Sequence, residues 1–376
     1  MLVLFVLSAL YWSAQATMAW RAARALRTVA SLPTVERAEW PTVSLIVPAR
    51  DEGATVRSAL EARLREGYPA LEVVLVDDRS TDDTGEKARA LAAADPRLTV
   101  TRVESLPEGW LGKVNALQRG LEVARGEWVL FSDADVHLAP GTLKRIIGWA
   151  ESEGIDHVSA LPALEATDAL TTLSLAAFFR FMVAASRLWA VEDPKSTAAA
   201  GVGAFSLFRR RVLDRTPGLE WLKMEIGDDQ ALGVMLKRAG GAAQRVVVAR
   251  QAVSLQFYPS FRALERALEK NGAAAPMPVM VLALAAMTAL ELGWLAGFAV
   301  AWPLGIGAWA LTTAVGVAVV RWLAHPTWPA LFPGLGFVPL AWVLARSSAL
   351  AWKRGGVVWR GCFYPMAALR AGRRLM

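Results

Sequence analysis

The chain has 376 residues, a net charge of +7, and a composition that is 55% hydrophobic and 20% charged. That is too apolar for an ordinary soluble domain, and long enough for one domain of about 200–250 residues plus membrane segments. Much of the positive charge lies beside hydrophobic stretches (Arg21, Arg24 and Arg27 after the first; Lys353, Arg354, Arg360, Arg370, Arg373 and Arg374 after the last). Basic residues there set topology and touch anionic headgroups, which argues against nucleic acid as a partner.

Residues 1–20 carry no charged side chain and match the ~20 residues that span a bilayer. The basic residues follow this stretch instead of preceding it, so it reads as an uncleaved anchor over residues 1–22, with the N-terminus outside and the next domain in the cytoplasm. From residue 43 short β-branched runs alternate with helical patterns. Strands are expected at 43–47, 71–76, 98–103 and 127–131, and helices at 54–65, 82–94 and 113–124. This predicts an α/β domain over residues 41–272 with a mostly parallel sheet. Ligands of such sheets sit outside the carboxyl ends of the strands, where the sequence places Pro48-Ala49-Arg50-Asp51-Glu52, Asp77-Asp78-Arg79-Ser80-Thr81-Asp82 and Ser132-Asp133-Ala134-Asp135.

Residues 169–191 are apolar apart from Arg180 and Arg187. An Arg near the middle disfavours a membrane span, so an amphipathic helix lying on the membrane is expected, with a core helix as the alternative. Gly201 and Gly203 offer places where an acceptor could approach the backbone. From residue 273 to 352 the only acidic residue is Glu291 and the only Lys or Arg residues are Arg321 and Arg346. Apolar spans are expected at 277–299, 302–320 and 328–350. The last is interrupted by Pro333, Gly334, Gly336 and Pro339, and is expected to form a re-entrant or interfacial segment that leaves the basic tail, residues 353–376, in the cytoplasm. The single cysteine, Cys362, excludes an intramolecular disulfide and a multi-cysteine zinc site.

Asp133 and Asp135, two apart, point to the same side of the chain. Such carboxylates repel each other unless a cation sits between them, and their oxygens suit Mg²⁺ or Mn²⁺ bound together with phosphate; a solvated turn is the alternative. Asp78 is placed to accept from a ribose hydroxyl or a base N–H, with Asp82 capping the following helix. Asp228 and Asp229 precede a helical pattern and read either as its cap or as a site pair. Arg262, Arg266 and Lys270 recur every four residues, as one helical stripe. They face either a leaving diphosphate or solvent, with Glu265 and Glu269 as local partners.

The strings at 47–52 (Val-Pro-Ala-Arg-Asp-Glu), 76–84 (Val-Asp-Asp-Arg-Ser-Thr-Asp-Asp-Thr) and 131–135 (Phe-Ser-Asp-Ala-Asp), with Gly112-Lys113, Ala116-Leu117, Gly120 and Asp228-Asp229, resemble family 2 inverting glycosyltransferases of the GT-A fold. Gly109-Trp110-Leu111-Gly112-Lys113, Trp359-Arg360-Gly361 and Tyr364-Pro365 are similar to the membrane-bound subset acting on hopanoids, carotenoids or sphingolipids. The resemblance implies a nucleoside-diphosphate-sugar donor and a lipid acceptor. It implies that Pro48, Asp51, Glu52, Asp78 and Asp133 line the donor pocket, with Lys113 near the base or diphosphate. It further implies that Asp133 and Asp135 hold Mn²⁺ or Mg²⁺, and that Asp229 is the catalytic base beside Asp228. Arg262 and Arg266 are assigned to departure of the diphosphate. Two departures from the pattern stand out: Gln118 replaces the usual Asn before Gly120, and Gln256-Phe257-Tyr258-Pro259-Ser260-Phe261-Arg262 stands where processive relatives carry Q-x-x-R-W. The expectation is a non-processive, multi-pass membrane glycosyltransferase. The rival readings are a processive polysaccharide synthase, a nucleotidyltransferase and a catalytically inactive scaffold subunit.

Overall fold

The computed structural model describes residues 1–273 and 275–375. It forms two units, one of Leu26–Ala163, Ala190–Leu255 and Ala371–Met376, the other of Met1–Ala25, Leu164–Trp189 and Gln256–Arg370.

The first unit is built on one sheet. Its strands are β1 (Arg27–Thr28), β2 (Val43–Ala49), β3 (Leu71–Asp78), β4 (Leu98–Val103), β5 (Trp128–Phe131), β6 (His157–Leu161), β7 (Ser206–Arg209) and β8 (Gln244–Val248), in the spatial order β1-β8-β6-β7-β5-β2-β3-β4. Neighbours run parallel except β7, which is antiparallel to both β5 and β6. The central strands are buried on both faces, from Val43 to Val47 and from Trp128 to Phe131, as continuous apolar runs in a helix-covered sheet must be. Helices Val56–Leu64, Thr84–Ala92 and Gly112–Val123 fall where the apolar periodicity predicts them, each within two residues at either end.

Register decides which loops meet. Ala49 lies opposite Asp77 and Ile46 opposite Phe131, so the carboxyl ends of β2, β3 and β5 share one rim. Antiparallel β7 starts at that rim, with Ser206 opposite Phe131, and brings the preceding Gly201–Gly203 turn with it. His157 is fully buried, and burial pulls its pKa down to about 3. The neutral ring joins β8 and β7, its Nδ1 accepting from Gln244 at 2.9 Å and its Nε2 bonded to Ser206 at 2.9 Å.

The second unit is helical, and four of its helices are long and apolar enough to cross a membrane: Leu2–Ala25, Ala169–Ala190, Met277–Val300 and Trp302–Trp322. The expected stretch at 328–350 divides into a 3-10 turn, Trp328–Leu331, and a helix, Phe337–Arg354. Pro333, Gly334 and Gly336 fall in the gap. Pro339 sits in the helix's first turn, where its missing N–H costs no intrahelical bond, so it does not break the helix as expected.

The arginine stripe also differs from its expected form. The helix Phe261–Ala267 tightens into a 3-10 segment, Leu268–Ala273, so Lys270 leaves the row and lies over the Trp359 ring, 4.6 Å from its centre. Glu265 and Glu269 turn to the helix Phe337–Arg354: Glu265 accepts from Trp342 at 2.8 Å, and Glu269 pairs with Arg346 at 2.7 Å and Arg354 at 2.9 Å.

Arg180 has a partner that sequence spacing did not reveal. Its guanidinium meets Glu291, the lone acid of the C-terminal apolar region, at 2.6 Å. It also lies over the Trp12 ring, 4.9 Å from its centre. Tyr11 donates to the other Glu291 oxygen, and Gln15 donates to Tyr11 at 3.1 Å.

Candidate active site

The Asp133–Asp135 turn is held from behind and paired in front. Arg63, fully buried on the helix Val56–Leu64, donates to the Ala134 carbonyl at 3.2 Å, to Ser132 Oγ at 3.3 Å and to the Asp133 carbonyl. Burial lowers the Arg63 pKa to about 10 against the pull of Asp135 and Asp133, so it remains a cation at neutral pH. Arg63 escaped the sequence reading because a lone arginine among helical polar residues resembles a solvated one. In front, Lys113 Nζ lies 2.7 Å from Asp133 Oδ1 and 3.6 Å from Asp228 Oδ2. Burial alone would lower the lysine pKa; Asp133, Asp228 and Asp229 together outweigh it and raise it.

Asp229 occupies the first turn of the helix Asp228–Arg238, whose N-cap is Gly227, so neither aspartate is the cap residue. Asp229 Oδ1 accepts from the Gln230 N–H at 2.8 Å, and Oδ2 from the Gly203 N–H at 3.0 Å. Gln230 accepts from Gly201 N at 3.2 Å and donates to the Ala199 carbonyl at 2.8 Å. The glycines therefore serve the site's own packing. At Gly203 a Cβ would lie 2.8 Å from Asp133 Oδ2 and 3.2 Å from Lys113 Nζ, and at Gly201 it would strike the Asp229 carbonyl.

Pro48, Lys113, Asp133, Asp228 and Asp229 line one cleft. Asp51 and Glu52 belong to a loop laced to the turn after β3. Thr81 donates its N–H to Asp51 at 2.7 Å, the Glu52 N–H reaches Thr84 Oγ1 at 2.8 Å, and the Gly53 N–H reaches Asp82 at 2.9 Å. Asp82 is thus a tie between loops, and the N-cap of the next helix is Asp83. Asp78 is buried and its carboxylate is forked by Arg79. Arg262 and Arg266 are exposed on the short helix Phe261–Ala267 of the helical unit, and neither lines the cleft.

The chemistry of the donor set suits a divalent metal. Burial, then the like charges of Asp133 and Glu52, push Asp135 up to about 6, as expected of a buried carboxyl beside other carboxylates. Among the described residues no three His, Cys, Asp or Glu side chains cluster as a complete metal site. An ion held by Asp133 and Asp135 would need further ligands, which phosphate oxygens could supply, as for Mg²⁺ or Mn²⁺.

Sequence spacing also missed the chain's own end. Glu225, buried three residues before Asp228, accepts from the N–H groups of Gly227 at 3.0 Å, Arg374 at 2.5 Å and Leu375 at 3.1 Å. Arg374 Nε donates to the Trp221 carbonyl at 2.8 Å.

A mostly parallel sheet with acidic loops gathered at the carboxyl ends of its strands defines a GT-A α/β domain. Residues 41–271 match the family described as glycosyltransferase-like family 2, and the chain belongs to that family. The fold is similar to the mannosyltransferase PcManGT of Pyrobaculum calidifontis, solved with GDP-Man and Mn²⁺, at a TM-score of 0.52 and 20% identity over 93% of this chain and 97% of that one. Among curated relatives, a GalNAc(5)-diNAcBac-PP-undecaprenol β-1,3-glucosyltransferase of Campylobacter jejuni is 31% identical over 31% of this chain and 37% of its own length. A β-monoglucosyldiacylglycerol synthase of Nostoc is 27% identical over 50% of this chain and 40% of its own. The chain spans about a third of the length of the first curated relatives it matches.

Proposed function

We propose that the chain transfers a sugar, with inversion, from a nucleoside-diphosphate sugar to a hydroxyl of a lipid acceptor dissolved in the membrane. The observation that carries this is the cleft itself, which brings Asp229, Lys113 and Asp133 together in a family 2 domain. Asp229 takes the acceptor proton while the acceptor oxygen attacks the anomeric carbon and the bond to the diphosphate breaks on the opposite face. Lys113, kept protonated by the aspartates around it, places a fixed positive charge where negative charge develops. Asp133 and Asp135 would hold Mn²⁺ or Mg²⁺, which when bound offsets charge on the diphosphate. The Pyrobaculum neighbour's complex with Mn²⁺ and a nucleotide sugar, and relatives named for undecaprenol-linked and diacylglycerol products, support the donor, metal and acceptor classes.

Connectivity supports one topology for this reading. Leu26–Ala163, Ala190–Leu255 and Ala371–Met376 form one body, and a folded body lies on one side of a membrane. The chain returns from the helix Ala169–Ala190 to that same body, which argues against its crossing although it is long and apolar enough. On this reading the number of crossings between Gln256 and Arg370 is even, as Met277–Val300 and Trp302–Trp322 would make it. Arg21, Arg24 and Arg27, by the positive-inside rule, favour the cytoplasm for that body.

The test uses full-length protein in lipid nanodiscs with labelled UDP- and GDP-sugars and a total lipid extract. Label in a solvent-extractable glycolipid is the expected result. Label only in insoluble polymer, or in no product at all, overturns the reading. A cysteine placed at Ala371 in a Cys362→Ser background should resist impermeant thiol reagents in intact cells.

A further inference from the structure

Glu225 stands three residues before Asp228 and is buried. Its carboxylate accepts three backbone N–H groups: Gly227 at 3.0 Å on Oε1, and Arg374 and, at 3.1 Å, Leu375 on Oε2. Two of the three come from residues 149 and 150 positions further along the chain. The same stretch is gripped at further points. Arg374 Nε donates to the Trp221 carbonyl at 2.8 Å, and its guanidinium lies 5.5 Å from the centre of the Trp221 ring. Gly372 lies so close to Met224 that a Cβ there would strike the Cβ of the methionine, and a Cβ at Gly227 would come 3.0 Å from Leu375 Cδ1. Residues 372–375 therefore run against residues 221–227 as a strap.

What the strap holds is the piece of chain that sets the cleft. The Leu111 N–H donates to the Lys223 carbonyl at 2.7 Å, and Leu111 is the N-cap of the helix Gly112–Val123, which carries Lys113. Gly227 is the N-cap of the helix Asp228–Arg238, which carries Asp228 and Asp229. Residues 223–227 thus join the starts of the two helices that bring Lys113 within 3.6 Å of Asp228. The Asp133–Asp135 turn is held separately, by Arg63, through bonds in which the strap has no part. A buried carboxylate that loses two of its three donors is costly to keep in place. Without the strap, residues 223–227 shift to recover partners for Glu225, and the helix starts shift with them.

We infer that residues 372–375, acting through Glu225, position the catalytic base: they hold Asp229 where it can reach the acceptor hydroxyl and add no group to the reaction. The inference rests on the reading of Asp229 given above. It predicts an uneven effect. A displacement on the order of 1 Å at the base costs about 10²-fold in turnover, whereas the donor, met by the separately held Asp133–Asp135 turn, binds nearly as before.

The test compares the full-length protein in lipid nanodiscs with Glu225→Gln, Gly372→Val and a chain ending at Arg370. Glycolipid formation from labelled UDP- and GDP-sugars with a total lipid extract gives kcat, and calorimetry with UDP and GDP in Mn²⁺ gives nucleotide affinity. The chain ending at Arg370 should lose about 10²-fold in kcat while nucleotide affinity stays within about threefold, and a synthetic peptide of residues 366–376 should restore most of the lost turnover. Gly372→Val keeps the whole chain but forces the strap off Met224, and should resemble the truncation. Glu225→Gln, with one acceptor oxygen left, should lose about tenfold. Wild-type kcat in Glu225→Gln and Gly372→Val, or turnover and nucleotide affinity falling together in every variant, overturns the inference and leaves the glycosyltransferase reading intact. A wild type that forms no glycolipid overturns both.

Discussion

Both units bury an arginine, and the surroundings differ in kind. In the helical unit Arg180 meets one carboxylate, Glu291, whose second oxygen is taken by Tyr11. In the sheet unit Arg63 spends its N–H groups on two carbonyls and a hydroxyl, and the carboxylates before it exceed the cations that face them. The first arrangement is electrically complete and has no use for a ligand. The second is incomplete, and its deficit of positive charge coincides with the proposed site. Composition alone would have suggested the opposite emphasis, since ionisable groups in apolar helices are the usual markers of function.

The largest test of this contrast supplies or removes the missing charge. Asp135→Ala should abolish transfer, by about 10³-fold or more, and chelation should do so reversibly in the wild type. Full activity in excess chelator would refute the metal assignment. Asp229→Asn comes next, with an expected loss of about 10²–10⁴-fold and donor affinity within a few-fold, because the amide oxygen can still accept the Gly203 N–H. Equal collapse of donor binding would make Asp229 a structural tie and move the base elsewhere.

The closed pair should behave in the opposite manner. Arg180→Leu or Glu291→Leu alone leaves one buried charge unpaired and should destabilise the helical unit by about 3–5 kcal/mol, whereas the double substitution should recover most of that loss. Thermal unfolding of the four proteins in one detergent measures the cycle. A double variant as unstable as the singles would show that the pair does more than neutralise itself.

The contrast also explains what the sequence made legible. The parallel sheet could be read because β2, β3 and β5 are continuous apolar runs with acidic ends, and one linear rule places those ends together. Asp133, Lys113 and Asp229 followed from motif order. Arg63, the Glu225 clasp on Arg374 and Leu375, and the Arg180–Glu291 pair were invisible, because each joins residues 70 or more positions apart and spacing carries no signal at that range. Arg79 was in plain view inside a quoted motif. Its left-handed backbone and its fork on Asp78 were not.

The smallest expected effect concerns a third buried charge that obeys neither pattern. Glu66 is 1% exposed; its Oε1 accepts the Leu143 N–H at 2.6 Å, while Oε2 has no hydrogen-bond partner among the described residues. It lies outside the cleft lining, so an unbalanced charge there would break the rule that imbalance marks function. The rule survives if Glu66 is largely neutral. Burial, only partly opposed by the Leu143 and Tyr68 N–H groups and Lys144, pushes its pKa up from 4.5 to about 7. A carboxyl whose folded pKa lies above its unfolded value binds more protons when folded, so stability is greatest in acid and declines as pH rises from about 4.5 to about 7. That shift corresponds to at most about 3 kcal/mol. Glu66→Gln keeps an acceptor for Leu143 without the charge, so its melting temperature should overtake the wild type's as pH is raised from 5 to 8. Parallel melting curves across that range would mean that Glu66 is stably ionised in the fold, and that charge imbalance alone does not identify a site in this protein.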